Sequence, residues 1–239
     1  MMKHLVTYIF ISALAAVLAA CGGRVAETLP SGPHIFPDYA GVTVPMNIAP
    51  LNFRLDGFDG RARARLEADA EHITVSTRDG AFRLPQRGWR RLCSAAVAAG
   101  GDISVTVEAR DGDGVWRRYA PFVIRVSEDE IDPYMVYRLI EPGYETWGEM
   151  GIYQRCLETF REEPVIETSS AGYGCINCHT FRSQDPDMML FHMRQTHAGT
   201  MLLREGRIER LNTATDSTIS STVYPSWHPS GRYIAFSVN

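Results

Sequence analysis

Lysine is almost absent from this chain of 239 residues: Lys3 is the only one, so nearly all of the 24 basic residues are arginines. The arginines are scattered among acidic residues, and the formal net charge is −4. We interpret the missing lysine as codon bias, and the mixed charge gives no sign of a nucleic-acid-binding surface. The sequence also lacks a Ser/His/Asp set, a phosphate-binding glycine loop and a paired-carboxylate motif, which argues against a hydrolase.

Long apolar runs are missing as well, except at the N-terminus. There a short basic start precedes an apolar stretch at residues 5–20, which is too short to span a bilayer comfortably. The stretch ends in Leu-Ala-Ala-Cys, which resembles a bacterial lipobox. It predicts a lipoprotein signal peptide at residues 1–20 and acylation of Cys21. A signal peptide cut nearby, with Cys21 incidental, is the alternative.

The residues after this cysteine are rich in glycine and proline, and they predict a tether at residues 21–40. Gly22 and Gly23 follow Cys21 and no aspartate lies beside it, which favours the outer membrane over the inner one. We therefore expect the protein to be exported and to be anchored to the bacterial outer membrane by its lipid chains. Whether it faces the periplasm or the cell surface stays open.

Cysteine is scarce, with five residues, and two of them lie in a single short motif. Residues 175–179 read Cys-Ile-Asn-Cys-His, the C-x-x-C-H pattern of c-type haem attachment. Cys175 and Cys178 are spaced to add to the two vinyl groups of one haem, and His179 would then be the proximal iron ligand. The motif resembles the cytochrome c attachment site, while nothing else in the chain resembles the helical cytochrome c fold.

A second axial ligand is expected downstream. Asp185 is a good helix N-cap and Pro186 a good first helical residue, so we predict a short helix at residues 186–196. His192 is our candidate for the distal ligand and Met189 the alternative, because helical spacing would place both on one face. The competing interpretation is that the methionines of this segment fill a core.

Other uses of the cysteines remain possible. Cys175 and Cys178 could bind zinc together with His192 and His197, which follow in C-x2-C-x13-H-x4-H order. They could also form a disulfide or redox pair. Once Cys21, Cys175 and Cys178 are assigned, two cysteines are left, Cys93 and Cys156. In an oxidising compartment these two could form a disulfide, or they could be two buried free thiols.

The pattern along the chain predicts a mainly β protein. At residues 41–128, short segments alternate between apolar and polar residues and are separated by Asp-Gly and Gly-Gly turns, with one helical stretch at residues 89–99. This spacing predicts a β-sandwich of immunoglobulin-like size.

The C-terminal region, residues 131–239, carries a second recognisable pattern. Residues 224–237 combine an aromatic strand, a Pro-Ser-Gly turn and a strand with Ile234 and Phe236 on one face. They resemble the WD40-like repeat of TolB-type β-propellers, although His228 and Ser230 replace the usual Ser and Asp. Residues 201–211 predict another hairpin that could complete the same blade.

The whole chain resembles bacterial lipoproteins that combine a WD40-like propeller with a C-x-x-C-H insertion. That resemblance implies an incomplete propeller region with a short helical insertion at about residues 170–198. Because ring closure needs at least about four blades, we expect the sequence to be the front part of a longer protein.

These observations predict a membrane-anchored, exported protein with one haem c that transfers electrons or senses redox state through a redox partner, rather than an enzyme. The alternative is a non-enzymatic outer-membrane lipoprotein that binds a protein or a glycan. In that case Cys175 and Cys178 form a disulfide or a zinc pair.

Overall fold

The computed structural model describes residues 24–58, 60–110, 112–143, 149–218 and 222–238, in two compact units that divide between Ile131 and Asp132. The predicted signal peptide and Cys21 lie outside the described residues. Within those residues, no helix is both long enough and apolar enough to cross a membrane. The chain is mainly β, as predicted, with several open sheets and one α-helix in the described part.

The N-terminal unit is built on a seven-stranded sheet. Its central strands are β5 (Arg61–Ala68) and β8 (Asp102–Arg110), which pair antiparallel; the other members are β1 (Val25–Thr28), β3 (Thr43–Pro45), β6 (Glu71–Thr77), β9 (Trp116–Arg118) and β10 (Phe122–Ser127). A second sheet joins β2 (Ile35–Phe36), β4 (Phe53–Leu55) and β7 (Ala81–Phe82).

The alternation of apolar and charged residues along β5 explains which side of the large sheet is buried. Its alanines and its leucine are buried, while its arginines point to the opposite, solvent-facing side. Helix α1 (Gln86–Ala98) contributes Trp89, Leu92, Cys93 and Ala96 to the same core, so a helix packs on the buried side of this sheet. The helix predicted at residues 89–99 is thus confirmed.

The predicted tether is wrong over part of its length. Strands β1 and β2 fall within residues 21–40, and backbone bonds from Leu29 to the Arg118 carbonyl and from Ala120 to the Ser31 carbonyl continue the pairing of this segment. Glycine and proline interrupt regular strands here, but backbone groups of Leu29 and Ser31 still find partners on the neighbouring strand segment.

In its described residues, the C-terminal unit contains three antiparallel sheets. The first joins β11 (Tyr134–Ile140), β12 (Met150–Cys156) and β13 (Glu162–Glu167). The second is a four-stranded meander of β14 (Ile176–Phe181), β15 (Met188–Met193), β16 (Gly199–Arg204) and β17 (Arg207–Arg210). The third is the hairpin of β18 (Thr222–Trp227) and β19 (Ile234–Val238).

Both predicted hairpins are present, but they belong to different sheets. Strands β16 and β17 continue the sheet of β14 and β15, instead of joining the C-terminal hairpin in one blade. Strand β15 pairs with β14 along one edge and with β16 along the other, over six residues, and this second pairing draws the β16–β17 hairpin into the same sheet.

The predicted helical insertion is also wrong. Residues 188–193 form strand β15, and Asp185 caps a turn in which its side chain accepts a hydrogen bond from the Asp187 backbone N–H. Five of the six residues of β15 are buried. A short apolar run buried on both faces has no periodicity that separates a strand from a helix.

Candidate functional site

The C-x-x-C-H segment, residues 175–179, is reached through a tightly constrained loop. A 3₁₀ turn at Thr168–Ala171 ends in Gly172, and Gly172 and Tyr173 both have positive φ angles, of 69° and 56°. At Gly174, a Cβ atom would lie 2.3 Å from the Arg194 carbonyl oxygen, so only glycine fits. The loop therefore holds Cys175 against the segment that follows β15, where the Cys175 carbonyl accepts a hydrogen bond from the Arg194 N–H at 3.0 Å.

Strand β14 begins inside the motif, at Ile176, and its pairing with β15 is interrupted two residues later. Ile176 pairs with Met193 and Asn177 with His192, but the next pair is Thr180 with Leu190. Cys178 and His179 occupy the irregularity between these pairs. Such bulges re-aim side chains, here those of Cys178 and His179.

Cys178 adopts a left-handed conformation inside this bulge. Its φ angle is 55°, and its backbone N–H is satisfied by the Asn177 side-chain oxygen at 2.8 Å. The same oxygen accepts a hydrogen bond from the Arg138 guanidinium of β11 at 2.6 Å. Asn177 and Arg138 thus hold the bulge in place, a role that sequence reasoning missed because it depends on a long-range contact.

The four described cysteines are all free thiols. Cys175 and Cys178 are half-buried, so both sulfur atoms belong to partly accessible residues. A disulfide between Cys93 and Cys156 and two free thiols were the alternatives, and both cysteines are free thiols in the structure. Cys93 is fully buried in the core of the N-terminal unit, and burial raises the pKa of its thiol to about 12, as expected for an inert core cysteine.

His179 is half-buried beside β11 and packs edge-to-face against Phe181, with ring centroids 6.4 Å apart. Burial lowers the pKa of its imidazole; a hydrogen bond to the Val136 backbone opposes this, and the Arg138 charge adds to the lowering. The neutral imidazole is therefore favoured at neutral pH. A neutral ring that donates one N–H to a backbone carbonyl is the usual state of a metal-ligating histidine.

His192 lies on β15 directly opposite Asn177, so strand pairing places it next to the C-x-x-C-H segment. Its side chain is 4% exposed, and its Nδ1 is 3.2 Å from the Thr200 hydroxyl, which donates to the Thr222 carbonyl at 3.3 Å. Burial, and then the Arg194 charge, lower the pKa of His192. It is thus a neutral, buried imidazole.

Met189 does not share a face with His192. Three residues apart on a strand, the two side chains point to opposite sides of the sheet. Met189 is 1% exposed and packs in the core cluster with Phe191, Met193 and Met201. The helix that would have placed both ligand candidates on one wall does not exist, and only His192 keeps a pairing contact with the motif.

The zinc interpretation needs Cys175, Cys178, His192 and His197 in one place. In the part of the chain that the structure describes, no group of three or more His, Cys, Asp or Glu residues is arranged to hold a metal ion. His197 is exposed in a short 3₁₀ turn after β15, whereas His192 is buried.

A pocket of about 340 Å³ lies on the core side of the four-stranded sheet. Its walls include Phe191, Met193, Met201 and Ile166, and His197 and Arg210 also line it. Sequence reasoning did not find it, since its walls come from β13, β15, β16 and β17 together.

Comparison of the chain with known protein families, with curated proteins and with solved structures finds no match.

Proposed function

We propose that this chain is an exported, lipid-anchored protein with one covalently attached haem c. Cys175 and Cys178 carry the two thioether bonds, His179 is the proximal ligand, and Cys21 carries the lipid that holds the protein at the outer membrane. The C-x-x-C-H motif is the reason for haem, and the two half-buried free thiols are compatible with its attachment.

The motif carries the proposal, and the setting of His179 supports it. Its ring is half-buried, its neutral form is favoured, and it is hydrogen-bonded to the Val136 backbone. Ligating histidines need a deprotonated nitrogen and a fixed ring orientation; burial favours the first, and the hydrogen bond to Val136 supports the second. The residues present therefore fit a haem at the motif.

Haem with two protein ligands supplies one-electron redox chemistry, so we propose electron transfer or redox sensing as the role. The chain's own contribution is positional. The bulge presents Cys178 and His179, Asn177 and Arg138 hold the bulge, and Val136 orients the imidazole. A buried, neutral histidine opposite Asn177 makes His192 the preferred distal ligand over Met189.

The finer architecture is part of the same proposal. We propose an immunoglobulin-like sandwich for the N-terminal unit and the beginning of a TolB-like, WD40-like propeller for the C-terminal unit. The four-stranded antiparallel meander β14–β17 supports the latter, since it has the strand number and connectivity of a propeller blade.

Expression of the exported chain in a host that matures c-type cytochromes tests the proposal. We expect haem that stays on the polypeptide after denaturation, with a pyridine haemochrome spectrum of the c type and a mass increase of one haem. A colourless polypeptide without covalent haem would instead support the binding lipoprotein, with Cys175 and Cys178 as a disulfide or zinc pair. Thiol titration and metal analysis of the same sample then distinguish those two states.

Replacing His192 by alanine should convert a low-spin haem spectrum to a high-spin one, because the iron loses its second protein ligand. Absorption spectroscopy of the oxidised protein measures this, and Met189→Leu is the matched comparison on the same strand. An unchanged spectrum in His192→Ala together with a high-spin spectrum in Met189→Leu would reverse the assignment. Circular dichroism checks that both variants keep their β structure.

A further inference from the structure

The outer face of the large N-terminal sheet is rich in arginine. Cross-strand pairs place Arg61 beside Arg110 and Arg63 beside Glu108, and the second row continues to Arg118 on β9. Directly paired residues of neighbouring strands project to the same side of a sheet. The scattered arginines of the sequence are therefore brought together on one surface of β5, β8 and β9.

On this surface, the Arg63 guanidinium is held by contacts with two neighbouring side chains. Arg63 forms an ion pair with Glu108, and its guanidinium carbon lies 4.8 Å from the centre of the Trp116 ring. Arg118 binds the other oxygen of Glu108 at 2.7 Å. Glu108 is thus shared by two arginines, which leaves this row with an excess of positive charge.

Beside Arg63 there is a pocket of about 290 Å³. Arg61, Arg63 and Arg78 line it together with Trp116 and Ser76, and none of the described residues that line it is acidic. Arg61 and Arg78 are exposed, and neither forms an ion pair with a described residue. The nearest described carboxylate in sequence, Asp79, accepts hydrogen bonds from Thr77 and from the Ala81 N–H instead.

The charge of Arg63 is compensated by Glu108, whereas Arg61 and Arg78 form no ion pair with a described residue; their mutual repulsion is relieved when an anion binds between them. Guanidinium groups match phosphate and carboxylate oxygens in pairs of parallel hydrogen bonds, and the Ser76 hydroxyl is a further donor. A pocket near 300 Å³ is at the small end of the range for ligand sites.

We propose that this pocket, lined by Arg61, Arg63 and Arg78, binds the oxyanion group of a small ligand, a phosphate or a carboxylate. The site lies entirely within the N-terminal unit and is independent of the haem motif. It uses chain positions that no other part of the proposed function requires.

Isothermal titration calorimetry of the full chain at low ionic strength tests the site, since salt screens such contacts. The probes are inorganic phosphate and glucuronate, with glucose as the uncharged control. We expect at least one anion to bind and glucose to give no heat; binding of phosphate alone or of glucuronate alone identifies which oxyanion the site prefers. Arg61→Gln and Arg78→Gln should each weaken binding about tenfold, the loss expected for a charge-assisted hydrogen bond.

The matched control is Arg87→Gln, which removes an exposed arginine of α1 outside this pocket and should leave the affinity unchanged. Arg61 and Arg78 are exposed, so thermal unfolding of their variants should match that of the parent. The proposal is overturned if neither anion binds, or if Arg87→Gln weakens binding as much as Arg61→Gln does.

Discussion

Replacing Cys175 and Cys178 together by alanine should abolish covalent haem attachment. Each thioether bond needs one of these thiols, so the double variant should give a polypeptide that loses all haem on denaturation. The single variants should retain at most one thioether bond, which shifts the pyridine haemochrome band towards that of a haem with one vinyl group left intact. Haem staining after denaturing electrophoresis and intact-protein mass measure both results.

Cys156→Ala is the matched control for these variants. Cys156 is also a half-buried free thiol of the C-terminal unit, but it lies on β12, outside the motif. Its removal should leave the haem content unchanged. Covalent haem in the Cys175/Cys178 double variant, or its loss in Cys156→Ala, would contradict the assignment of the attachment site.

Replacing Trp89 by alanine should destabilise the N-terminal unit more than any surface change. Trp89 is fully buried on α1, and its indole N–H donates to the Ile48 carbonyl at 3.0 Å. Truncation of a buried tryptophan costs about 3–5 kcal/mol of unfolding free energy, and the orphaned carbonyl adds to this loss. Hydrogen exchange of peptides from β5 and β8 measures the stability of this unit within the full chain.

Trp116→Ala is the comparison for this experiment. Trp116 is half-buried on the outer face of the sheet, where the Arg63 guanidinium carbon lies 4.8 Å from the centre of its ring. Loss of such a contact costs about 0.5–1 kcal/mol at an exposed site, so exchange should accelerate far less than in Trp89→Ala. Equal acceleration in both variants would mean that the core around α1 contributes less than its burial indicates.

Local patterns were sufficient for several elements of the fold. The alternation in β5, β6 and β8, the helix near residue 89 and the hairpins of β16–β17 and β18–β19 all follow from periodicity and turn residues. Each depends mainly on neighbours in sequence, which is why each could be predicted without tertiary information.

Strand β15 shows where this reasoning fails. Met188–Met193 is buried on both faces, so apart from His192 its residues are apolar and show no periodicity. The Asp185-Pro186 pair favours a turn as readily as a helix start, and pairing with β14 and β16 decided in favour of the strand. For the same reason, Met189 and His192 could not be assigned to opposite faces before the sheet was known.

The sequence by itself determined which groups the motif contains, two thiols three positions apart with a following histidine, and it predicts export from the apolar stretch at residues 5–20. Only the tertiary structure decided how that motif is presented. The bulge at Cys178, the contact from Val136 to His179 and the pairing of Asn177 with His192 join segments far apart in the chain. Residue types set what a side chain can do, whereas its accessibility, protonation and partners depend on which distant strands pack against it.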